Sequence, residues 1–363
     1  MLKIQKTNIK TQILQVNPTN PEFKKIQTAA KIIQKGGLVA FPTETVYGLG
    51  ANALNPNAVS TLFKTKNRPL DNPPIIHIAN TNQAYQLTEE IPQNAETLMN
   101  QFWPGPLTLI FKRSKTTTLP KETTTNLNTI ALRIPNNNIA LALIKQSNTP
   151  IAAPSANLSG NPSPTTAQHV YDDLADKIDA IIDGGPTNIG VESTVLDLSV
   201  NPPQLLRPGG TPFENIQTIL PNATLHPFAT SEQELTTIKH TPSPGMMHKH
   251  YAPNAQMLLI DGSLQNIITK ITTLSKQYSS EGKKVGILTT DETKNEYPQT
   301  YTIKSMGSRS NINLIANQLF NKLREFNKTP VEIILAESIP LDGLGLAVMN
   351  RLRKASGYHI IKT

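Results

Sequence analysis

Four polar segments carry the residue types that chemistry needs. In the first, Pro42-Thr-Glu-Thr-Val-Tyr-Gly-Leu-Gly50, hydroxyls, a carboxylate and a phenol follow directly on a short apolar stretch, and its glycines permit close ligand approach. A polar turn with no ligand has the same composition, and on the segment alone neither reading outweighs the other. The second, Lys64-Thr-Lys-Asn-Arg-Pro-Leu-Asp-Asn-Pro-Pro74, sets Lys66 and Arg68 one residue apart. From an extended segment both can point the same way and suit a polyphosphate or a carboxylate. Taken alone, a solvated basic loop explains them better. His77 follows in the next apolar stretch, where a lone histidine is more often structural than a ligand contact.

In the third segment, Thr129-Ile-Ala-Leu-Arg133-Ile-Pro135, Thr129 and Arg133 fall on one face of a strand. An arginine between Leu132 and Ile134 needs an anionic partner if that face is buried, either a substrate carboxylate or an internal Asp or Glu. The fourth, Pro154-Ser-Ala-Asn-Leu-Ser-Gly-Asn-Pro-Ser163, offers Ser155, Asn157 and Ser163 as neutral donors for phosphate or carbonyl oxygens. As bare composition it also passes for a surface loop. None of the common catalytic signatures is present: no G-x-x-x-x-G-K-[ST] loop, no G-x-G-x-x-G, no G-x-S-x-G and no H-E-x-x-H. The Gly343-Leu-Gly345 pair lacks a third glycine.

These segments need a scaffold. The spacing of Phe23, Ile26, Ala30 and Ile33 predicts a helix over 22–35, ended by Gly36-Gly37. Strands are expected at 38–41, 74–78, 107–111, 129–134, 151–153 and 193–198, with helices at 56–64, 82–89, 92–102, 137–146 and 165–175. Without a strict βαβ rhythm, this mixture predicts an α/β domain on a twisted mixed sheet over 22–210. Prolines at 212, 221, 227, 242, 244 and 253 then break any long element, so 211–255 reads as a proline-rich interdomain linker. Beyond it, strands at 257–260, 285–289, 301–305 and 331–336 alternate with helices at 263–278 and 311–326. Ile312, Ile315, Leu319, Leu323 and Phe326 mark one apolar face of the second helix. That rhythm predicts a smaller Rossmann-like parallel-sheet domain over 256–363.

Composition bounds the function. A chain of 363 residues exceeds one ordinary core, and 37% hydrophobic with 17% charged residues suits a globular protein. The complete absence of cysteine excludes disulfides, Cys-ligated zinc, iron–sulfur clusters and a thiol nucleophile. The formal charge is +8, and each side of Gly210 carries +4, so the excess is diffuse. The opening Met-Leu-Lys-Ile-Gln-Lys has no apolar core or cleavage site, and no apolar run approaches the roughly 20 residues of a membrane span. A cytoplasmic protein without a membrane partner is expected.

Jointly the four segments, in this order, resemble the YrdC-like domain of the threonylcarbamoyl-AMP synthase family. Glu192-Ser-Thr-Val-Leu-Asp197 and Leu206-Arg207-Pro-Gly fit the same pattern. Ser243-Pro-Gly-Met-Met-His-Lys-His-Tyr-Ala-Pro253 and Gly343-Leu-Gly-Leu-Ala-Val-Met-Asn-Arg-Leu352 are similar to the longer, two-domain members. Departures are Met247-His248-Lys249 where many relatives have Lys-Tyr-Arg, Asn67 where they often have Gly, and Ala153 where they often have Thr or Ser.

The resemblance implies an L-threonylcarbamoyladenylate synthase, a nucleotidyltransferase acting before threonylcarbamoyladenosine formation at tRNA position 37. L-Threonine, bicarbonate and ATP are the implied substrates, with magnesium beside the phosphates. The carbamate made from threonine would attack the α-phosphate and expel diphosphate, so no protein nucleophile is required. Lys66 and Arg68 are the implied catalytic cations, with Arg207 beside them. Asn72, Thr129, Ser155, Asn157, Ser163, Arg207 and His250 are implied near ATP. Thr45, His77, Arg133 and Ser193 are implied near threonine, with Arg133 as a bidentate clamp on its carboxylate. No metal-ligating residue is assigned. tRNA contact and transfer of the product to a downstream threonylcarbamoyl transferase complex are the further partner expectations. The alternative is a YrdC-type RNA-binding module in tRNA or ribosome maturation, disfavoured by aromatics at only 5% and by the lack of a Lys/Arg run. Carbamoyl transfer in hydrogenase maturation is disfavoured by the missing zinc-binding cysteines.

Overall fold

The computed structural model describes residues 10–117, 119–233 and 250–363. The Met247-His248-Lys249 departure, and the interdomain motif up to Lys249, lie outside the described residues. Among the described residues the strands form two sheets, one of eleven strands and one of five.

The larger sheet is mixed. Its strand order is Gln12–Gln15, Ala180–Asp183, Val39–Phe41, Gly48–Asn52, Ile151–Ala152, Ile76–His77, Thr129–Arg133, Leu107–Lys112, Thr194–Asp197, Gln204–Arg207 and Thr224–Leu225. Alternate residues of one strand enter different cores. Leu38 and Ala40 join the cluster around Leu49 and Leu62, while Val39 and Phe41 join the one around Ile26 and Ile33. Helices Phe23–Gln34 and Asn138–Ser147 cover the second face with Ile26, Ala29, Ala30, Ile33, Ile139 and Leu143.

This sheet draws strands from outside 22–210. Gln12–Gln15 pairs in parallel with Ala180–Asp183 at one edge, and Thr224–Leu225 pairs with Gln204–Arg207 at the other. Residues 213–230 are not an uninterrupted linker, because they form the helix Phe213–Gln217, that short strand and the helix Pro227–Thr230. Prolines 212 and 227 open those helices, positions where a missing N–H is tolerated. The hydrophobic seam made by Ile216, Leu220 and Ala229 then docks the stretch on the first core.

The five-stranded sheet is parallel throughout, in the order Thr302–Ser305, Val285–Thr289, Ile333–Glu337, Gln256–Asp261 and Ile360–Lys362. Helix Leu264–Ser280 packs Ile267 and Ile271 on one face, against Leu258, Ile260, Ile287 and Leu335. Helices Ile312–Phe326 and Gly345–Ala355 cover the other, against Met257, Leu259, Leu288 and Ile334. That second cluster also takes in Val46 and Val191 from the first sheet's loops, so one apolar core spans the junction between the two units. Gly190 permits the close approach: it has φ +83°, and a Cβ there would lie 2.3 Å from the Asn317 Cα.

The helix Gly345–Ala355 is not foreseen by the apolar spacing. It buries Asn350, Arg351, Arg353 and Lys354 together with Val348 and Leu352, because it lies between its own sheet and the first unit. Asn350 donates from Nδ2 to the carbonyls of Phe228 (3.2 Å) and Ala229 (3.1 Å) across that junction. No helix among the described residues is long and apolar enough to cross a membrane.

Candidate active site

The chain reaches the site first through a hairpin. Val39–Phe41 and Gly48–Asn52 are antiparallel neighbours, and the turn between them holds Thr43, Glu44 and Thr45. Thr43 Oγ1 organises it by donating to the Val46 carbonyl at 2.6 Å and sharing a 2.8 Å hydrogen bond with Thr45 Oγ1. Tyr47 turns away, its hydroxyl donating to the Gly185 carbonyl at 2.6 Å, so the phenol belongs to the core and not to the chemistry.

Lys66 and Arg68 are brought in by a helix end, not by an extended segment. Helix Pro56–Lys66 starts at Asn55, whose side chain accepts from Asn57 N and Ala58 N, and runs through Lys66. Asn67 ends it in the left-handed conformation at φ 50°, a place that suits Gly or Asn. The same geometry explains how Asn67 can stand where relatives often have Gly. Lys66 Nζ donates to the carbonyls of Ser155 and Asn157. Arg68 Nε donates to the Asn72 carbonyl at 2.8 Å and its Nη2 to Asn72 Oδ1 at 2.8 Å, with Pro73 O at 3.0 Å. Burial, with Arg68 nearby, holds the Lys66 ammonium well below its ordinary range. Burial, then Arg207, pushes Arg68 down to about 9.

The Ser-x-Asn loop prolongs the pairing of Ile151–Ala152 with Gly48–Asn52: Leu49 N bonds to Pro154 O at 2.8 Å and Ala156 N to Tyr47 O at 2.8 Å. Asn157 Nδ2 ties the loop to the carbonyls of Leu158 and Asn161. Its far side is gripped from the second unit. Arg324 donates to Asp173 Oδ2 at 2.9 Å and to the Pro162 carbonyl at 2.6 Å, while Asp173 accepts from Leu158 N and Asn161 Nδ2.

Opposite lie His77 and Arg133, register partners on adjacent parallel strands. Arg133 is buried, and its internal partner is Glu44 of the first segment, 2.7 Å from Nη2. The contact is one of charge, since neither Nη2 nor the Glu44 oxygens find a well-directed hydrogen bond. Arg133 Nε donates to Gly105 O at 3.1 Å. Burial first and Arg133 second push His77 down to about 3, so its imidazole is neutral near pH 7. Ser193 Oγ shares a 2.8 Å hydrogen bond with Thr108, and Arg207 donates to the Ser193 carbonyl from Nε at 3.1 Å and Nη2 at 2.9 Å.

One cleft brings these groups together. Thr45, Lys66, Arg68, His77, Arg133, Ser155, Asn157, Ser163, Ser193, Arg207 and His250 all line it. Asn72 is not on the lining, though it holds Arg68. Thr129 borders a separate, smaller depression with Pro73 and Pro74. Thr43, Glu192 and Tyr251 are among the lining residues that carried no assigned role in the sequence. Glu192 accepts from Ser163 Oγ at 2.6 Å and pairs with Arg351 of the second unit at 2.9 Å. Burial alone would raise its carboxyl, but Arg351 and Arg207, with Ser163, hold it at about 2. Burial pushes Tyr251 up to about 12, so it stays a phenol. No local spacing pairs Glu192 with a residue 159 positions away, and only the motif around Glu192 hinted at importance.

The arrangement suits a polyanion at one end, met by cations on backbone carbonyls, and a smaller polar anion at the other, near Arg133. Among the described residues no group of three or more His, Asp or Glu could hold an ion, and Glu192 is committed to Arg351 and Ser163.

Comparison with known proteins finds relatives over nearly the whole chain. Residues 31–209 match the family model described as "Telomere recombination", and residues 212–357 match that described as "Threonylcarbamoyl-AMP synthase, C-terminal domain". A threonylcarbamoyl-AMP synthase of Pyrococcus abyssi is 49% identical, over 97% of this chain and 99% of its own. One of Bacillus subtilis is 46% identical, over 93% and 94%. The crystal structure of P. abyssi Sua5 complexed with L-threonine superposes with a TM-score of 0.91 at 48% identity, covering 97% of this chain and all of that one. With identity at this level over nearly the whole length of both partners, the chain belongs to the threonylcarbamoyl-AMP synthase family.

Proposed function

We propose that the cleft joins L-threonine, bicarbonate and ATP into threonylcarbamoyl-AMP and diphosphate, making the protein a nucleotidyltransferase. One observation carries the reading. Lys66, Arg68 and Arg207 converge in the cleft that Thr45, His77, Arg133 and Ser193 also line. Lys66 and Arg68 bond to carbonyl and amide oxygens, and no carboxylate lies within ion-pair distance of either among the described residues. Two buried cations held ready on neutral acceptors, with Arg207 on the same lining, are what a triphosphate requires.

In this reading bicarbonate carboxylates the threonine amine with loss of water. A carbamate oxygen then attacks the α-phosphorus, a P–O bond forms, the α–β bridging bond breaks, and diphosphate leaves with that electron pair. Lys66, Arg68 and Arg207 offset the charge that builds at phosphorus and on the leaving group. Ser155, Asn157 and Ser163 supply neutral hydrogen bonds, His250 closes one side, and Asn72 keeps Arg68 aimed. The depression bordered by Thr129, Pro73 and Pro74 takes the nucleotide's far end. Arg133 meets the threonine carboxylate, with Thr45, neutral His77 and Ser193 around the rest of the amino acid. Because Glu44 and Gly105 already take the Nη2 and Nε sides of Arg133, the clamp works from the Nη1 side and is narrower than a fully open guanidinium. Magnesium would arrive coordinated by the triphosphate.

We divide the chain into a catalytic unit over 22–210 with its edge strands, a connection over 211–255, and a C-terminal unit over 256–363. The product serves threonylcarbamoyladenosine formation in tRNA, in the cytoplasm, with tRNA and a downstream transferase complex as partners. With ATP and bicarbonate present, diphosphate release should require L-threonine. Release indifferent to threonine, or none at all, contradicts the reading.

A further inference from the structure

We propose that Arg351, contributed by the C-terminal unit, is a positioning residue of the nucleotide cleft: it holds Glu192 charge-neutralised and in place to orient Ser163. The proposal rests on reading the cleft as an ATP site. Glu192 is the one carboxylate on the described lining of that cleft. A bare carboxylate there would repel a triphosphate, so its presence needs an explanation.

Arg351 supplies one. Its side chain is fully buried, its Nε donates to Glu192 Oε2 at 3.0 Å, and its Nη2 lies 2.9 Å from the same oxygen. Ser163 Oγ takes the other oxygen at 2.6 Å. The two carboxylate oxygens are thus divided between the C-terminal unit and the loop that lines the cleft. Arg351 Nη1 also donates to the carbonyl of Pro208, the residue after Arg207. The guanidinium lies over the Tyr251 ring, 5.7 Å from its centre.

The backbone at this point is as tightly made as the side chains. Gly210 N bonds to the Glu192 carbonyl at 3.0 Å, and a Cβ on Gly209 would lie 2.3 Å from that same oxygen. The Arg207-Pro-Gly-Gly turn therefore runs directly along Glu192, and Arg351 grips both. Arg351 itself does not line the cleft. Whatever it does for the nucleotide, it does through Glu192, Ser163 and the turn that carries Arg207.

Equilibrium titration of the full-length protein with ATP, and separately with L-threonine, tests the assignment. A wild type that does not bind ATP overturns the ATP reading and this proposal together. Where wild type binds, Arg351→Met should weaken ATP binding about tenfold or more, because a buried carboxylate near the triphosphate loses its directly paired cation. Threonine affinity should change by less than about twofold, since Arg133 keeps its own partners. Glu192→Gln removes the opposite charge, and its ATP affinity should equal or exceed that of wild type. Combining Arg351→Met with Glu192→Gln replaces a buried ion pair with neutral groups and should restore ATP affinity to within about threefold. Should Arg351→Met not fold, Arg351→Gln, which keeps a donor and loses the charge, is read in its place. A merely structural contact would weaken ATP binding in both single variants alike. That result, an unchanged ATP affinity on loss of Arg351, or a double variant as weak as the single one overturns the proposal while leaving the ATP site standing.

Discussion

At the carboxyl end of the strand Ile333–Glu337, Glu337 is fully buried and accepts from Thr293 at 2.6 Å, Thr289 and Tyr297 at 2.7 Å, Thr290 at 3.2 Å and Arg309 at 3.4 Å. The cleft of the first unit also buries its charges, but leaves work undone. His77 Nδ1 and Asn157 Oδ1 are buried without partners, and Lys66 and Arg68 rest on neutral oxygens. The carboxyl edge of an open parallel sheet is where ligands commonly bind, and here that edge is closed by its own hydroxyls. Incomplete satisfaction, more than burial or charge, sets the cleft apart from the cluster around Glu337.

Variants of the two regions should therefore fail in different ways. The largest effect is expected at Lys66: Lys66→Met should lower the rate of diphosphate release about a thousandfold, as loss of a charge-stabilising donor does, with the fold retained. A rate within tenfold of wild type would show that the cation is not used. Arg133→Ala should cost about thirtyfold or more in threonine affinity and less than about threefold in ATP affinity, measured by titration. Equal threonine binding would remove Arg133 from that role and leave it as the partner of Glu44. Glu337→Ala should do the reverse, lowering unfolding free energy by about 3 kcal/mol while both ligand affinities stay within about twofold. Lost ligand binding in a folded Glu337 variant would break the distinction between the regions.

The smallest effect is a pH dependence. His77 titrates at about 3 in the folded chain against 6.5 for the ordinary group. The unfolded chain thus binds a proton that the folded chain refuses. The stability this represents is complete above pH 6.5 and is lost as pH falls toward 3. Denaturant midpoints from pH 7 to pH 4 should fall more steeply for wild type than for His77→Asn, the difference having a slope of up to about 1.4 kcal/mol per pH unit. Parallel pH profiles would mean that His77 is protonated in the fold.

How much of this could be read in advance follows from how local each cause is. The strand bearing Arg133 and the Val39–Phe41 segment are short, largely apolar runs between turn residues, and their positions were legible. Gln12–Gln15 was not, because an edge strand with Ile13 half exposed shows only a short apolar signal. Lys66 and Arg68 were legible as a pair, yet not the reason for their convergence, which depends on Asn67 adopting φ 50° after the helix. Asp173–Arg324 and Glu192–Arg351 were hidden for another reason. Each charge looks solvated in its own segment, and only the packing of the second unit turns it inward. The same packing conceals the helix Gly345–Ala355, whose buried Arg351, Arg353 and Lys354 blur the apolar period.

The central claim is that nucleotide and threonine meet between Lys66, Arg68 and Arg207 on one side and Arg133 on the other. Its most direct measurement is a crystal structure of the protein with L-threonine and a non-hydrolysable ATP analogue. The expected result is a triphosphate on Lys66, Arg68 and Arg207, a threonine carboxylate on Arg133, and the threonine amine turned toward the α-phosphorus. Either ligand bound outside this cleft, or an amine facing away from the α-phosphorus, would contradict the account.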